Sequence, residues 1–149
     1  MTDAHTLAER LFAVIDGHRW ADYETVMHPD VELTSSFGPV HSAADWADVS
    51  RSFAAAMPDG AHTVTRVVQA GDRFAVQGVW TGTHTGPLGT PGGEVPATGR
   101  VVTLPFCAVG TQRDGRVSSM TLYLDQLAML AQLGLVPQPE PADRLAAAR

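Results

Sequence analysis

Asp125 is the carboxylate in this sequence that is best placed for acid–base chemistry, because it stands where an extended apolar run passes into a helix. Leu122 to Leu124 before it favour a strand, and the apolar residues after it recur at helical spacing up to Gly134. If the strand lines a cavity, a carboxylate at its end can take a proton from a carbon next to a carbonyl group. Aspartate is also a favoured N-cap residue, so the same position equally predicts a helix cap.

Three nearby side chains are candidates for stabilising the enolate that such a proton transfer creates. Tyr123 lies one strand pleat from Asp125 and is expected on the same face. His84, in the segment Gly82–Gly86, and Arg100 each follow or begin a predicted strand. We therefore predict Asp125, His84 and Tyr123 as catalytic residues. The alternatives are ordinary packing for the tyrosine and a surface turn for His84.

Large apolar side chains recur along the chain and are typical of a cavity for a flat hydrophobic ligand. With aromatic residues at only 7% of the chain, many of them also suit an ordinary core. The predicted substrate-binding residues are Trp20, Phe37, Trp46, Trp80, Arg100, Phe106 and Met120.

Other kinds of site find little support in the sequence. His28 and Asp30 have the His-x-Asp spacing of an iron site, with His84 or His41 as a third ligand, but Pro29 explains the segment as a helix stop. No nucleophile elbow, phosphate loop or dinucleotide motif is present, and Cys107 is most simply a small buried residue. We expect neither a metal nor an organic cofactor.

Composition indicates one globular domain, and its cysteine content fits a reducing compartment. The 149 residues carry a net charge of −6 and a single cysteine, and they contain no basic cluster that would follow nucleic-acid phosphates. No stretch approaches the roughly 20 apolar residues of a membrane span, and the N-terminus does not resemble a signal peptide. We expect a cytoplasmic protein without membrane or nucleic-acid partners.

The order of predicted elements is helix, helix, strand, helix, four strands, helix. The second helix is expected at Trp20–Met27, the first strand at Val31–Ser36, and the four long strands at 62–69, 73–84, 100–112 and 116–124. Residues 85–99 form a Gly/Pro-rich loop between the middle strands. The fold class is α+β, with a curved, largely antiparallel sheet whose concave face is covered by the N-terminal helices. Residues 1–136 form the domain, and residues 137–149 form a Pro-rich tail.

The sequence resembles the SnoaL-like polyketide cyclase branch of the NTF2-like, or ketosteroid isomerase-like, superfamily. The matching segments are His28–Val31, Gly82–Gly86, Ala97–Val102, Asp114–Val117 and Asp125–Gly134. The resemblance implies a cone with an apolar cavity, and a homodimer or higher homo-oligomer packed through the sheet. It also implies cofactor-free acid–base chemistry on a hydrophobic carbonyl compound, such as an aldol-type ring closure of a polyketide-like intermediate.

The last strand departs from the family pattern. Members of the branch commonly read Glu-His-Trp-Asp where this chain has Ser119–Leu122, and a polar position on the preceding strand corresponds to about Ala108. Three hypotheses follow: a cyclase or isomerase using Asp125; an epoxide-opening or hydroxylation-type enzyme with Arg100 beside Asp125; and a non-catalytic binding protein.

Overall fold

The computed structural model describes residues 2–137, so the predicted tail beyond Pro137 lies outside the described residues. The helices are α1 (Ala4–Asp16), a 3₁₀ helix (Trp20–Thr25), α2 (Ala43–Ala56) and α3 (Gln126–Gln132). The strands are β1 (Met27–Ser35), β2 (Gly38–Val40), β3 (Ala61–Ala70), β4 (Arg73–Thr83), β5 (Leu88–Thr90), β6 (Gly93–Val95), β7 (Val101–Arg113) and β8 (Arg116–Leu124).

Six strands form one curved sheet in the order β2-β1-β8-β7-β4-β3, which confirms the predicted α+β class. All neighbouring strands are antiparallel except β1 and β8, which run parallel. The turn between β7 and β8 has positive φ at both Asp114 (52°) and Gly115 (71°), and this backbone matches the twist of a two-residue hairpin. The four long strands therefore lie close to the bounds predicted from their turn residues.

Three side-chain caps fix where the helices begin. Asp3 accepts a hydrogen bond from the Thr6 backbone N–H, Ser42 from Asp45, and Asp125 from Ala128. Each cap satisfies a backbone donor that has no partner within the first helical turn. The cap at Asp125 is the one that the sequence analysis predicted.

Three expected elements differ in the structure. The second helix is a short 3₁₀ helix, and the chain is already extended at Met27. Pro29 lies in β1, where the pairing with β8 shifts register between Met27 and Glu32, so its missing N–H breaks no regular ladder bond. The first strand is therefore longer than predicted at its start. The expected loop at 85–99 holds the β5–β6 hairpin.

The concave face of the sheet is buried against the helices. Along β7, Val102, Leu104, Phe106 and Ala108 are buried, whereas Val101 and Val109 are exposed on the opposite face. This period-two alternation is expected of a sheet covered on one side. In residues 2–137 there is no helix with the length and apolar character needed to cross a membrane.

Candidate functional site

A cavity of about 130 Å³ lies between the helices and the concave face of the sheet. Phe37 both lines it and remains 37% exposed, so this side chain stands at the opening. Most lining side chains are apolar, whereas the polar ones come from α1, α2, β3 and the turn after α1. The lining residues that matter below are Phe12, Asp16, His18, Ser50, His62, Leu104, Phe106, Ala108, Met120, Leu122 and Leu124.

Asp16 and His62 form an ion-pair-type contact in the cavity wall. Oδ1 of Asp16 lies 2.6 Å from Nδ1 of His62, and Oδ2 accepts a hydrogen bond of 2.9 Å from the His62 backbone N–H. The side chains are only 18% (His62) and 24% (Asp16) exposed. Because an ionised carboxylate only accepts hydrogen bonds, the proton between them belongs to Nδ1, and in the neutral imidazole Nε2 of His62 is then the proton acceptor.

Two aromatic rings hold the imidazole of His62 in place. Phe12 stacks on it with ring centroids 4.4 Å apart, and Phe106 meets it edge-on at 5.3 Å. A Cβ at Gly78 would lie 2.7 Å from the Phe106 ring and 2.3 Å from the Thr63 carbonyl oxygen. The absence of a side chain at Gly78 therefore lets Phe106 lie close to the sheet, beside His62.

A second polar group, Ser50, lines the cavity from α2. Helix α2 packs against the 3₁₀ helix, whose Tyr23 hydroxyl is buried and makes no hydrogen bond of ordinary length and angle among the described residues. Burial raises the pKa of Tyr23 from 10.0 to about 12, partly offset by the nearby Ser50 hydroxyl, while the Asp16 carboxylate adds to the rise. Ser50 and Asp16 therefore both interact with Tyr23.

The structure brings most of the predicted substrate-binding residues together. Phe37, Trp46, Trp80, Phe106 and Met120 all line the cavity. Trp20 does not, since it lies in a shallow groove outside, stacked on His18 with the Arg51 guanidinium 5.8 Å above its ring.

Asp125 and Tyr123 are not among the cavity residues. Asp125 is exposed and caps α3 through a 2.9 Å hydrogen bond from the Ala128 N–H. Tyr123 is 61% exposed on the convex face, because Met120, Leu122 and Leu124 are the β8 residues that face inward. The expectation that these two side chains face the cavity is wrong for this reason. Of the two roles weighed for Asp125, the helix cap is the one its contacts show.

His84 and Arg100 also lie away from the cavity. His84 is fully buried, and its Nδ1 accepts a hydrogen bond from the Thr98 N–H at 3.2 Å, so the side chain joins the two ends of the 85–99 segment. The Arg100 guanidinium lies against Gly134 at the end of α3. Neither group is positioned to act on a molecule in the cavity.

The possible iron ligands do not converge. His28 Nε2 lies 2.7 Å from the Arg113 carbonyl oxygen, and the Asp30 carboxylate faces the Arg113 guanidinium at 3.4 Å. Within residues 2–137, no three His, Cys, Asp or Glu side chains form a group suited to a metal ion.

The sequence interpretation missed Asp16 and His62, although both carried a signal. Asp16 follows Phe12 by one helical turn and so falls on the buried side of α1, where a carboxylate is unusual. His62 precedes Val64 by two residues at the start of a strand and therefore shares its face. Their 46-residue separation hid the pairing.

Comparison with known proteins identifies relatives of the whole domain. The family model for SnoaL-like polyketide cyclases matches residues 5–133. A candidate SnoaL-like polyketide cyclase from Jannaschia sp. CCS1 is 25% identical, with a TM-score of 0.76 over 89% of this chain and 92% of that chain. AclR from Streptomyces galilaeus, a candidate hydroxylase, is 26% identical, with a TM-score of 0.76 over 99% of this chain and 92% of that one.

A more distant structure confirms the fold. A protein with a ketosteroid isomerase-like fold from Catenulispora acidiphila is 18% identical, with a TM-score of 0.73 over 91% of this chain and 97% of that chain. Among curated protein sequences, no relative matches the chain.

Proposed function

Because the chain belongs to the SnoaL-like polyketide cyclase family, whose model spans residues 5–133, we propose that it catalyses cofactor-free acid–base chemistry on a hydrophobic carbonyl compound. The reaction class is an aldol-type ring closure or a related isomerisation. The observation that carries this proposal is the Asp16–His62 pair in the wall of an apolar cavity. This pair takes the place of the carboxylate that β8 lacks.

In the proposed reaction, Nε2 of His62 removes a proton from a carbon next to a carbonyl group. Asp16 keeps the other ring proton on Nδ1 and stabilises the imidazolium that forms. The enolate carbon then attacks a second carbonyl carbon of the same molecule, which forms a carbon–carbon bond and leaves an alkoxide. The proton on Nε2 returns to that alkoxide, so the ring-closed product has the same atoms as the substrate.

The apolar wall serves this chemistry in two ways. Leu104, Phe106, Leu122 and Leu124 exclude water, which strengthens electrostatic interactions in the cavity and protects the enolate. The same side chains hold the reacting carbons close together, and such orientation contributes much of the rate gain in ring closures.

Proton abstraction can be tested with 2-tetralone, a two-ring ketone, in D₂O. The wild-type protein should speed deuterium incorporation next to the carbonyl, and His62→Gln should remove the acceleration. Asp30→Asn, which changes an exposed carboxylate outside the cavity, is the matched control and should behave as wild type. Equal exchange with and without protein, or exchange unchanged in His62→Gln, would contradict the proposal.

The similarity to AclR favours one second candidate, namely a reaction in which the same pair activates water. His62 would take a proton from water, the hydroxide would attack an epoxide carbon and break its C–O bond, and the proton on Nε2 would then pass to the resulting alkoxide to give a diol. Within residues 2–137, no arginine lines the cavity to assist such an opening. Incorporation of ¹⁸O from labelled water into the diol of styrene oxide would distinguish this activity from enolisation.

We also propose that two copies of the chain associate through the convex face of the sheet. The side chains of Val101, Val109 and Tyr123 are exposed there. Threonines of the neighbouring strands β4 and β7 also contact each other, with 2.6 Å between the Thr81 and Thr103 hydroxyls. A Tyr123→Asp variant should shift the protein toward monomer in sedimentation velocity. An unchanged sedimentation coefficient would argue against this interface.

A further inference from the structure

Tyr23 has a hydroxyl group for which the fold gives no structural reason. The side chain is only 2% exposed, and within residues 2–137 the hydroxyl makes no hydrogen bond of ordinary length and angle, although a weaker interaction with the Ser50 side chain lowers its pKa. Buried polar groups are nearly always paired, so an unpaired one in a native protein calls for a functional explanation. A phenylalanine here would fill the same space without an unsatisfied donor.

Tyr23 does not line the cavity, whereas Ser50 does. It lies on α2, which packs against the 3₁₀ helix that carries Tyr23, and its side chain lines the cavity. The Ser50 hydroxyl is close enough to act on the Tyr23 pKa, although no hydrogen bond of ordinary length and angle joins the two. When Tyr23 donates to Ser50, the Ser50 proton is free to point into the cavity.

The size of the cavity limits the molecule that this hydroxyl can meet. Its volume of about 130 Å³ is close to that of an engineered apolar pocket, about 150 Å³, that binds benzene. One ring, or two fused rings with one of them toward the opening at Phe37, would fill it. The apolar lining offers no charged partner for an ionic substituent except beside Asp16, His18 and His62.

We infer that Ser50, supported from behind by Tyr23, is the hydrogen-bond donor for a carbonyl or enolate oxygen of a flat one- or two-ring substrate. This inference rests on the proposed function for its chemistry but concerns binding, which is measured separately. Ser50 touches the substrate, whereas Tyr23 is a positioning residue. When His62 removes the neighbouring carbon-bound proton, the negative charge that develops on the oxygen is met by the Ser50 O–H, which is strengthened by the Tyr23 O–H behind it.

Two probes of nearly equal shape test this assignment by calorimetry. 2-Naphthol resembles the enol of 2-tetralone, and 2-methylnaphthalene replaces its oxygen by a methyl group. The wild-type protein should bind 2-naphthol about fivefold or more tightly than 2-methylnaphthalene, as expected for one net hydrogen bond. Ser50→Ala should remove most of this preference, and Tyr23→Phe should reduce it, while affinity for 2-methylnaphthalene stays unchanged.

The controls separate this donor role from general effects on the fold. Ser52→Ala changes an exposed serine on the same helix, whose hydroxyl bonds to the Asp48 carbonyl, and should leave the preference intact. Tyr23→Phe should raise the thermal unfolding midpoint, because it removes a buried unsatisfied donor; a merely structural tyrosine would not combine higher stability with weaker discrimination.

Three results would overturn the inference. Equal wild-type affinity for the two probes means that no oxygen donor faces the cavity, and failure of both to bind means that the cavity does not take such molecules. If the preference for 2-naphthol is lost in His62→Gln but kept in Ser50→Ala, the His62 imidazole and not Ser50 binds the naphthol oxygen. Failure of the proposed function would give a different result. The protein would then not speed deuterium exchange of 2-tetralone but would still bind 2-naphthol more tightly than 2-methylnaphthalene.

Discussion

The carboxylate of Asp16 and the imidazole of His62 meet at 2.6 Å between Oδ1 and Nδ1, across a separation of 46 residues. Asp16 is the last residue of α1 and His62 the second residue of β3, so the contact fixes the end of the helix over the edge strand of the sheet. The second oxygen of the same carboxylate holds the His62 backbone N–H. Both partners are therefore oriented before any substrate arrives.

Replacing Asp16 by asparagine should lower the rate of 2-tetralone exchange by about a hundredfold or more, with little change in KM. An amide can donate to Nδ1 and shift the ring proton to Nε2, which removes the base. Initial rates over a range of ketone concentrations measure both parameters. A variant with the wild-type kcat would show that Asp16 has no part in the proton transfer.

Asp125→Ala should reduce the free energy of unfolding by about 1 kcal/mol, because the N-cap of α3 is lost. Asparagine caps helices as well as aspartate does, so Asp125→Asn should be close to wild type in urea denaturation. Exchange of 2-tetralone should be unaffected in both variants. Loss of deuterium exchange in a fully folded Asp125→Asn protein would show that Asp125 takes part in catalysis.

Stability should fall steeply in alkali because of Tyr23. Its pKa is raised by burial from 10.0 to about 12, so above pH 10 the unfolded chain loses this proton while the folded protein keeps it. The stabilisation is complete below the unfolded pKa and is lost as pH rises toward 12, by about 2 to 3 kcal/mol in total. Urea denaturation at several pH values should show this slope in Tyr123→Phe, whose ring is exposed, but not in Tyr23→Phe.

Gly78→Ala should cost about 1–3 kcal/mol of folding free energy and slow ketone exchange, because the added methyl group forces Phe106 and the Thr63 carbonyl apart. Movement of Phe106 would release the edge contact that orients His62. Gly89→Ala is the control, since a Cβ there meets nothing within 4 Å. Equal unfolding free energies for the two variants would contradict this packing argument.

The sequence predicted the helices and strands of this protein better than its candidate site. The difference arises because turns and helix caps depend on neighbouring residues in the sequence. Turn residues such as Asp114 and Gly115, and caps such as Asp125, act within four residues, so their effects can be derived without tertiary structure. The sequence did not show in this way which side chains of β8 face the cavity. Tyr123 and Leu124 are both large and apolar enough to face a core, and only the neighbouring strands decide which of them does.

The substrate-binding predictions depended mainly on the size and apolar character of the side chains. They were therefore less affected by uncertainty about which face of a strand points inward. Trp46, Trp80 and Phe106 line the cavity because bulky apolar side chains are stabilised on the inner face, away from water. Trp20 lies outside because the chain turns at His18, whose φ of 53° is rare for a residue with a side chain. No spacing rule in the sequence indicates that turn.

The polar lining residues come from one part of the chain, whereas apolar lining residues come from both parts. Asp16, Ser50 and His62 all lie within the first 62 residues, whereas β7 and β8 contribute only carbon and sulfur to the wall, from Leu104, Phe106, Ala108, Met120, Leu122 and Leu124. Reactivity and shape can therefore vary separately. Grafting residues 101–124 from a relative, with Phe106 kept, would reshape the cavity and leave Asp16, Ser50 and His62 in place.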